Sequence, residues 1–134
     1  MPVVQWRWAL AVLWMVLLPG AALADRPAPD AVIIFVAGTD SIPTSDDTVL
    51  EDLSTKAKSD AGNWINLEAY ANDLGSRELN LALAQRRIDD VSRRLALLGV
   101  PPHRIRGTSY RDSSAAEGEL PLRRVEIRIE KLGL

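Results

Sequence analysis

Between residues 77 and 98 the residues Leu81, Ala84, Ile88, Val91, Leu95 and Leu98 recur at intervals of three and four. Side chains so spaced share one face of an α-helix, so the spacing predicts one long helix with an apolar stripe. Gly75 or Ser76 can start it, Glu78 suits its first turn electrostatically, and Gly99 followed by Val100-Pro101-Pro102 stops it. An apolar stripe of this length has to be covered by another layer, and the rest of the chain must supply that layer.

The strand signals lie on either side. Ala31 to Ala37 is a short, nearly continuous apolar run dominated by β-branched residues, the pattern of a buried strand. Gly38 to Ser45 is loop chemistry. Val49, Leu50, Leu53 and Ala57 predict a modest amphipathic helix over 46–58, which Ser45 or Asp46 can cap. Ser59 to Asn63 breaks that helix. From Trp64 to Ala71 the residues alternate, with Ile65, Leu67 and Ala69 on one side and Asn66, Glu68 and Tyr70 on the other. After the long helix come a short strand over 104–109 and a clearer one over 122–130, where Val125, Ile127 and Ile129 alternate with charged residues. Residues 112–118 between them are small and polar, as in a surface loop. The order β-α-β-α-β-β predicts an α+β, two-layer sandwich: a mixed sheet with both helices packed on one face.

The N-terminus carries a different signal. Arg7 is the only charge before Asp25, and Trp8 to Leu18 is an unbroken apolar run, shorter than the roughly 20 residues a membrane-spanning helix needs. Pro19-Gly20 ends the run, and Ala22-Leu23-Ala24 has the small-residue spacing of a signal-peptidase site. The expected organisation is an export signal over 1–24, an extended Pro-rich linker over 25–30 and one domain over 31–134; retention of the apolar run as an anchor is the alternative. Removing Arg7 from the net charge of −2 leaves −3, and a weakly acidic, mixed surface gives no footing to nucleic acid. The chain has no cysteine, which excludes disulfides, thiolate metal sites and a lipid-modified cysteine at the cleavage point.

The segment Leu67-Glu68-Ala69-Tyr70-Ala71-Asn72-Asp73-Leu74-Gly75-Ser76, continuing through Asn80 to Ile88, resembles the signature of the OmpA-like, peptidoglycan-associated domain family. Leu97-Leu98-Gly99-Val100, Arg104-Ile105 and Arg123-Arg124-Val125-Glu126-Ile127 resemble that family's helix exit and last strand, so the match runs through nearly all of 31–130. The resemblance implies a periplasmic envelope domain, in or near the outer membrane, that grips the diaminopimelate of the peptidoglycan stem peptide. Arg87 occupies the family's arginine position, where a planar guanidinium would fork onto the ligand's carboxylate. The position of the aspartate that meets the ammonium holds Asn72, with Asp73 next to it. Gly75 and Asn80 are implied to be structural turn residues. The chain departs from the signature at four consecutive places: Ala69, Tyr70 and Ala71 stand for its glycine, histidine and threonine, and Asn72 for its aspartate.

Other residues invite plainer readings. His103 is the only histidine and has no companion ligand, so no metal is expected. The serines lack a nucleophile-elbow frame and a base, so no enzyme and no cofactor are expected. Trp64 opens a strand and is expected to pack against the domain. Two functions remain: a peptidoglycan-binding module, or a degenerate member serving as a protein-interaction component of an envelope assembly for secretion, pili or motility.

Overall fold

The computed structural model describes residues 27–72, 75–110 and 122–131; the export signal expected over 1–24, Asp73 and the polar loop expected over 112–118 lie outside them. The elements are β1 (Ala31–Ile34), α1 (Asp47–Lys58), β2 (Asn63–Tyr70), α2 (Arg77–Leu97), β3 (Ile105–Tyr110) and β4 (Arg124–Lys131), with 3-10 turns at Thr44–Asp46 and Pro102–Arg104. The strands form one sheet in the order β1-β4-β2-β3. β4 is antiparallel to both β1 and β2, whereas β2 and β3, joined through α2, are parallel. This is the mixed, two-layer α+β arrangement that the order of elements predicts.

Alternation decides which side of the sheet each residue serves. Ile65, Leu67 and Ala69 of β2, Val125 and Ile127 of β4 and Ile33 of β1 share one core with Leu50, Leu53 and Ala57 of α1 and Leu83, Ala84, Ile88, Val91 and Leu95 of α2. The stripe of α2 thus differs from the expected one at its start: Leu81 is 38% exposed, and the buried row runs Asn80, Leu83, Ala84, Arg87, Ile88. Leucine at 79, 81 and 83 fits more than one helical register. The row that is buried contains an asparagine and an arginine, so by composition it reads as a polar face. Ser76 caps α2, its hydroxyl accepting from Leu79 N at 3.1 Å, and Gly99 ends the last turn at φ +100°.

β1 is shorter than the apolar run that contains it. Its last ladder partner is Arg124, the first residue of β4, so the pairing stops at Ile34 and Phe35 adds only a hydrogen bond to Arg123 O at 2.9 Å. Ahead of it, Asp30 is tied to the domain: its carboxylate accepts from Ile129 N at 2.7 Å and pairs with Lys56 at 2.6 Å.

The other face of the sheet holds acidic and basic side chains. Glu68 of β2 and Glu126 of β4 lie directly opposite one another and both are buried. Like charges in that relation repel. Arg128 offsets the repulsion, with Nη1 at 3.3 Å from Glu126 and 3.8 Å from Glu68, and its Nη2 donates to Pro27 O at 3.3 Å. Arg124 adds a contact to Glu126 at 3.3 Å and lies 4.2 Å over the Tyr70 ring, which stacks on Tyr110 at 4.9 Å. Trp64 is half-buried under the Arg106 guanidinium, 4.0 Å from its ring centre.

The packing is testable at Gly107 and at Tyr70. A Cβ added to Gly107 of β3 would stand 2.5 Å from Cγ2 of Ile88, a stiff β-branched side chain. Gly107→Ala is therefore expected to cost about 1–3 kcal/mol in urea unfolding. Paired with Ile88→Ala, its cost should fall below the sum of the single effects; strict additivity would disprove the contact. Burial, and then the Glu68 carboxylate, push the Tyr70 hydroxyl up to about 12 from 10. Because the folded value is the higher, this contribution is whole below pH 10 and is lost as the pH rises toward 12. Native protein should lose urea resistance across that interval faster than Tyr70→Phe, and parallel curves would refute the coupling.

Candidate functional site

β1, β2 and β3 end, and β4 begins, at the same end of the sheet, because Arg124 is in register with both Ile34 and Tyr70, and Tyr70 with Tyr110. The connection after β1 and the connection from β2 into α2 therefore leave from one rim. Carboxyl ends of strands are where open sheets place ligands.

Arg87 reaches this rim from the helix layer. It stands ten residues into α2 from Arg77, and helical side chains lean back toward the helix N-terminus. It is 0% exposed. Its guanidinium lies 4.9 Å over the ring of Phe35; Nε donates to Thr39 O at 2.9 Å and Nη2 to Val36 O at 3.5 Å. A charge removed from water must be hydrogen-bonded to persist in its ionised form, and these carbonyls provide part of that support. The Val36–Thr39 turn is itself closed by Thr39 N to Val36 O at 3.1 Å and Thr39 Oγ1 to Val36 O at 3.0 Å, with Gly38 at φ +73°.

The other residues singled out from sequence differ in exposure. Asn72 is exposed, immediately after the buried Ala71 that leaves β2. Asp73 lies outside the described residues. Gly75 is exposed, with open space where a Cβ would stand, and Asn80 is buried in the first turns of α2. Arg86, beside Arg87, points to solvent and makes a loose ion pair with Asp40 at 3.7 Å. His103 is exposed, and among the described residues no cluster of three or more His, Cys, Asp or Glu could hold a metal. No helix among them is long and apolar enough to cross a membrane.

Sequence reasoning did not include Phe35, Val36 and Thr39 in the site. They lie 48 and more residues from Arg87, and two of the contacts use backbone carbonyls, which carry no sequence signal. The signal that was present is the Gly38-Thr39 pair directly after an apolar strand, a turn that brings the chain back along the sheet rim.

Known proteins share this architecture. The peptidoglycan-associated lipoprotein of Pseudomonas aeruginosa is 32% identical over 90 residues, covering 66% of this chain and 54% of that protein. The probable lipoprotein YiaD of Escherichia coli is 35% identical over 74 residues, covering 51% of this chain and 34% of its own length. The chain thus spans about half or less of the curated relatives it matches. The crystal structure of the peptidoglycan-associated lipoprotein from Burkholderia pseudomallei superposes with a TM-score of 0.66 at 25% identity, over 74% of this chain and 89% of that one. The periplasmic domain of Helicobacter pylori MotB, at 21% identity and TM-score 0.59 over 74% and 70%, has the same fold. A family model described as the OmpA family matches residues 34–120, and with four strands and two helices arranged as in its structural neighbours, the chain belongs to the OmpA family.

Proposed function

We propose that this chain is an exported cell-envelope domain, released by cleavage of a signal over 1–24, that associates non-covalently with peptidoglycan and does no catalysis. In this reading the periplasm is its compartment and the diaminopimelate of the stem peptide its ligand. Arg87 takes the ligand's carboxylate, and Asn72 or Asp73 takes the ammonium. The observation that carries the reading is an arginine fixed at the strand-end rim by Val36 O, Thr39 O and the Phe35 ring, because a guanidinium already oriented loses little entropy on binding. The names of the relatives, two of them peptidoglycan-associated lipoproteins, point the same way.

Asn72 sets the expected strength. An amide oxygen accepts from an ammonium without a charge of its own, so the contact is weaker than the ion pair a carboxylate makes there. One observation favours the second reading, a protein-interaction domain in an envelope assembly: Arg87 has no exposed surface, so a ligand must displace protein atoms to reach it. A binding-competent state populated only in part weakens apparent affinity by that fraction.

Retention on isolated cell-wall sacculi tests the choice. Native protein is expected to be retained, Arg87→Lys to be retained at least tenfold more weakly because an ammonium lacks the fork, and Asn72→Asp to bind meso-diaminopimelate about tenfold more tightly by calorimetry. Native protein that stays in the supernatant, with crosslinked partners that survive lysozyme digestion, would replace this reading by the second.

A further inference from the structure

We propose that the outer edge of β1 and the groove between β1 and α1 bind an extended segment of a partner protein as a fifth strand, and that this segment carries a Lys or Arg toward Asp52. Phe35 N donates to Arg123 O at 2.9 Å, so these two residues are a hydrogen-bonded pair. By alternation along the antiparallel ladder Ile33–Val125 and Ala31–Ile127 are bonded pairs too. The N–H and C=O groups of Val32 and Ile34 therefore point away from β4, along an edge that no strand occupies among the described residues. Such an edge is a template for another chain unless a charge, a proline or a bulge blocks it. Ala31–Ile34 has no charge and no proline, and its register with β4 is unbroken. The opposite edge differs: β3 exposes Arg106.

An added strand would meet two kinds of neighbour, because its side chains alternate between the faces of the sheet. On the open face lie Val32, half-buried, and Ile34, 42% exposed, followed by Val36 at 68%. These β-branched residues at every second position form an apolar stripe that the domain leaves partly uncovered. On the helix side lies a groove of about 250 Å³ lined by Asp30, Ala31, Val49, Asp52, Leu53 and Lys56. Its apolar wall suits the methylene stem of a long basic side chain. Its charges are unequally answered: Asp30 pairs with Lys56 at 2.6 Å and accepts from Ile129 N, while Asp52 is exposed and pairs with no described residue. A basic side chain complements what is left, and an acidic one would face two carboxylates. A ligand without a peptide backbone would fill the groove and leave the strand edge unpaired, so the occupant is an extended chain. This surface serves whether or not Arg87 holds a wall ligand.

The experiment titrates isotope-labelled full-length protein with two capped peptides, Thr-Val-Lys-Val-Lys-Val-Thr and the same sequence with Glu for Lys, and reads amide shifts by NMR. The Lys peptide should move the amides of Val32 and Ile34 and bind at least tenfold more tightly than the Glu peptide. Asp52→Lys, on an exposed helix position, should reverse that preference with little change in melting temperature. Val32→Pro removes an outward N–H and spares the ladder to β4, so it should abolish binding of the Lys peptide. Absence of binding, shifts centred away from β1, or equal affinity for the two peptides overturns the proposal. An unchanged preference in Asp52→Lys also overturns it, because the groove charge would then not read the partner. Native protein that sediments as a dimer, with Val32 and Ile34 signals lost as concentration rises, overturns it in favour of a second copy on this edge. If Val32→Pro does not fold, the charge reversal at Asp52 decides on the same terms.

Discussion

A full positive charge held between the helix layer and the first connection organises one end of this domain. Arg87 has no contact with solvent, and an ionised group in that position persists only where hydrogen bonds stand in for water. The carbonyls of Val36 and Thr39 and the face of Phe35 meet part of that requirement. The consequence reaches back to the fold: the chain after β1 is tied to the middle of α2, and the buried row of α2 is the one that contains Arg87.

The opposite face of the sheet repeats the theme with carboxylates. Glu68 and Glu126 face each other across β2 and β4, an arrangement that two strands would avoid if left to themselves. Arg128 lies between them and Arg124 to one side, and the Tyr70–Tyr110 stack covers the neighbouring surface. Arg128 also reaches Pro27 O, so the same side chain that relieves the carboxylate pair fastens the segment entering the domain. Both faces of the sheet thus carry arginines with contacts to residues distant in sequence, Val36 and Thr39 for Arg87 and Glu68 and Pro27 for Arg128. Such networks specify one arrangement more than they stabilise it, because removing one member strands the rest.

Membership of the OmpA family fixes the scaffold, and the end of β2 is built as follows. Tyr70 there has a structural role, donating to Glu68 at 3.1 Å and stacking on Tyr110. Ala71 is buried, and Asn72 is the first residue to emerge into solvent. These positions are therefore of two kinds: residues buried in or just after β2, and one polar residue exposed after it.

Alternation along β2 and β4, the three-four spacing of α2 and the glycine and proline stops were enough to determine the elements, their order and a mixed sheet with both helices on one side. These are local properties, since periodicity reports directly which face of an element avoids water. The position of Arg87 on the long helix was likewise legible, from the family resemblance around it. Three things were not. Leu81 and Leu83 are equivalent to a periodicity count, and only the packing of α2 against β3, where Gly107 admits Ile88, chose between them. The opposition of Glu68 and Glu126 depends on strand register, which no segment specifies alone. The grip on Arg87 comes from backbone carbonyls of the β1–α1 connection, and a carbonyl is present at every residue. The sequence by itself determined which surfaces had to be buried; the tertiary structure decided which charges went in with them, because that depends on partners brought together from across the chain.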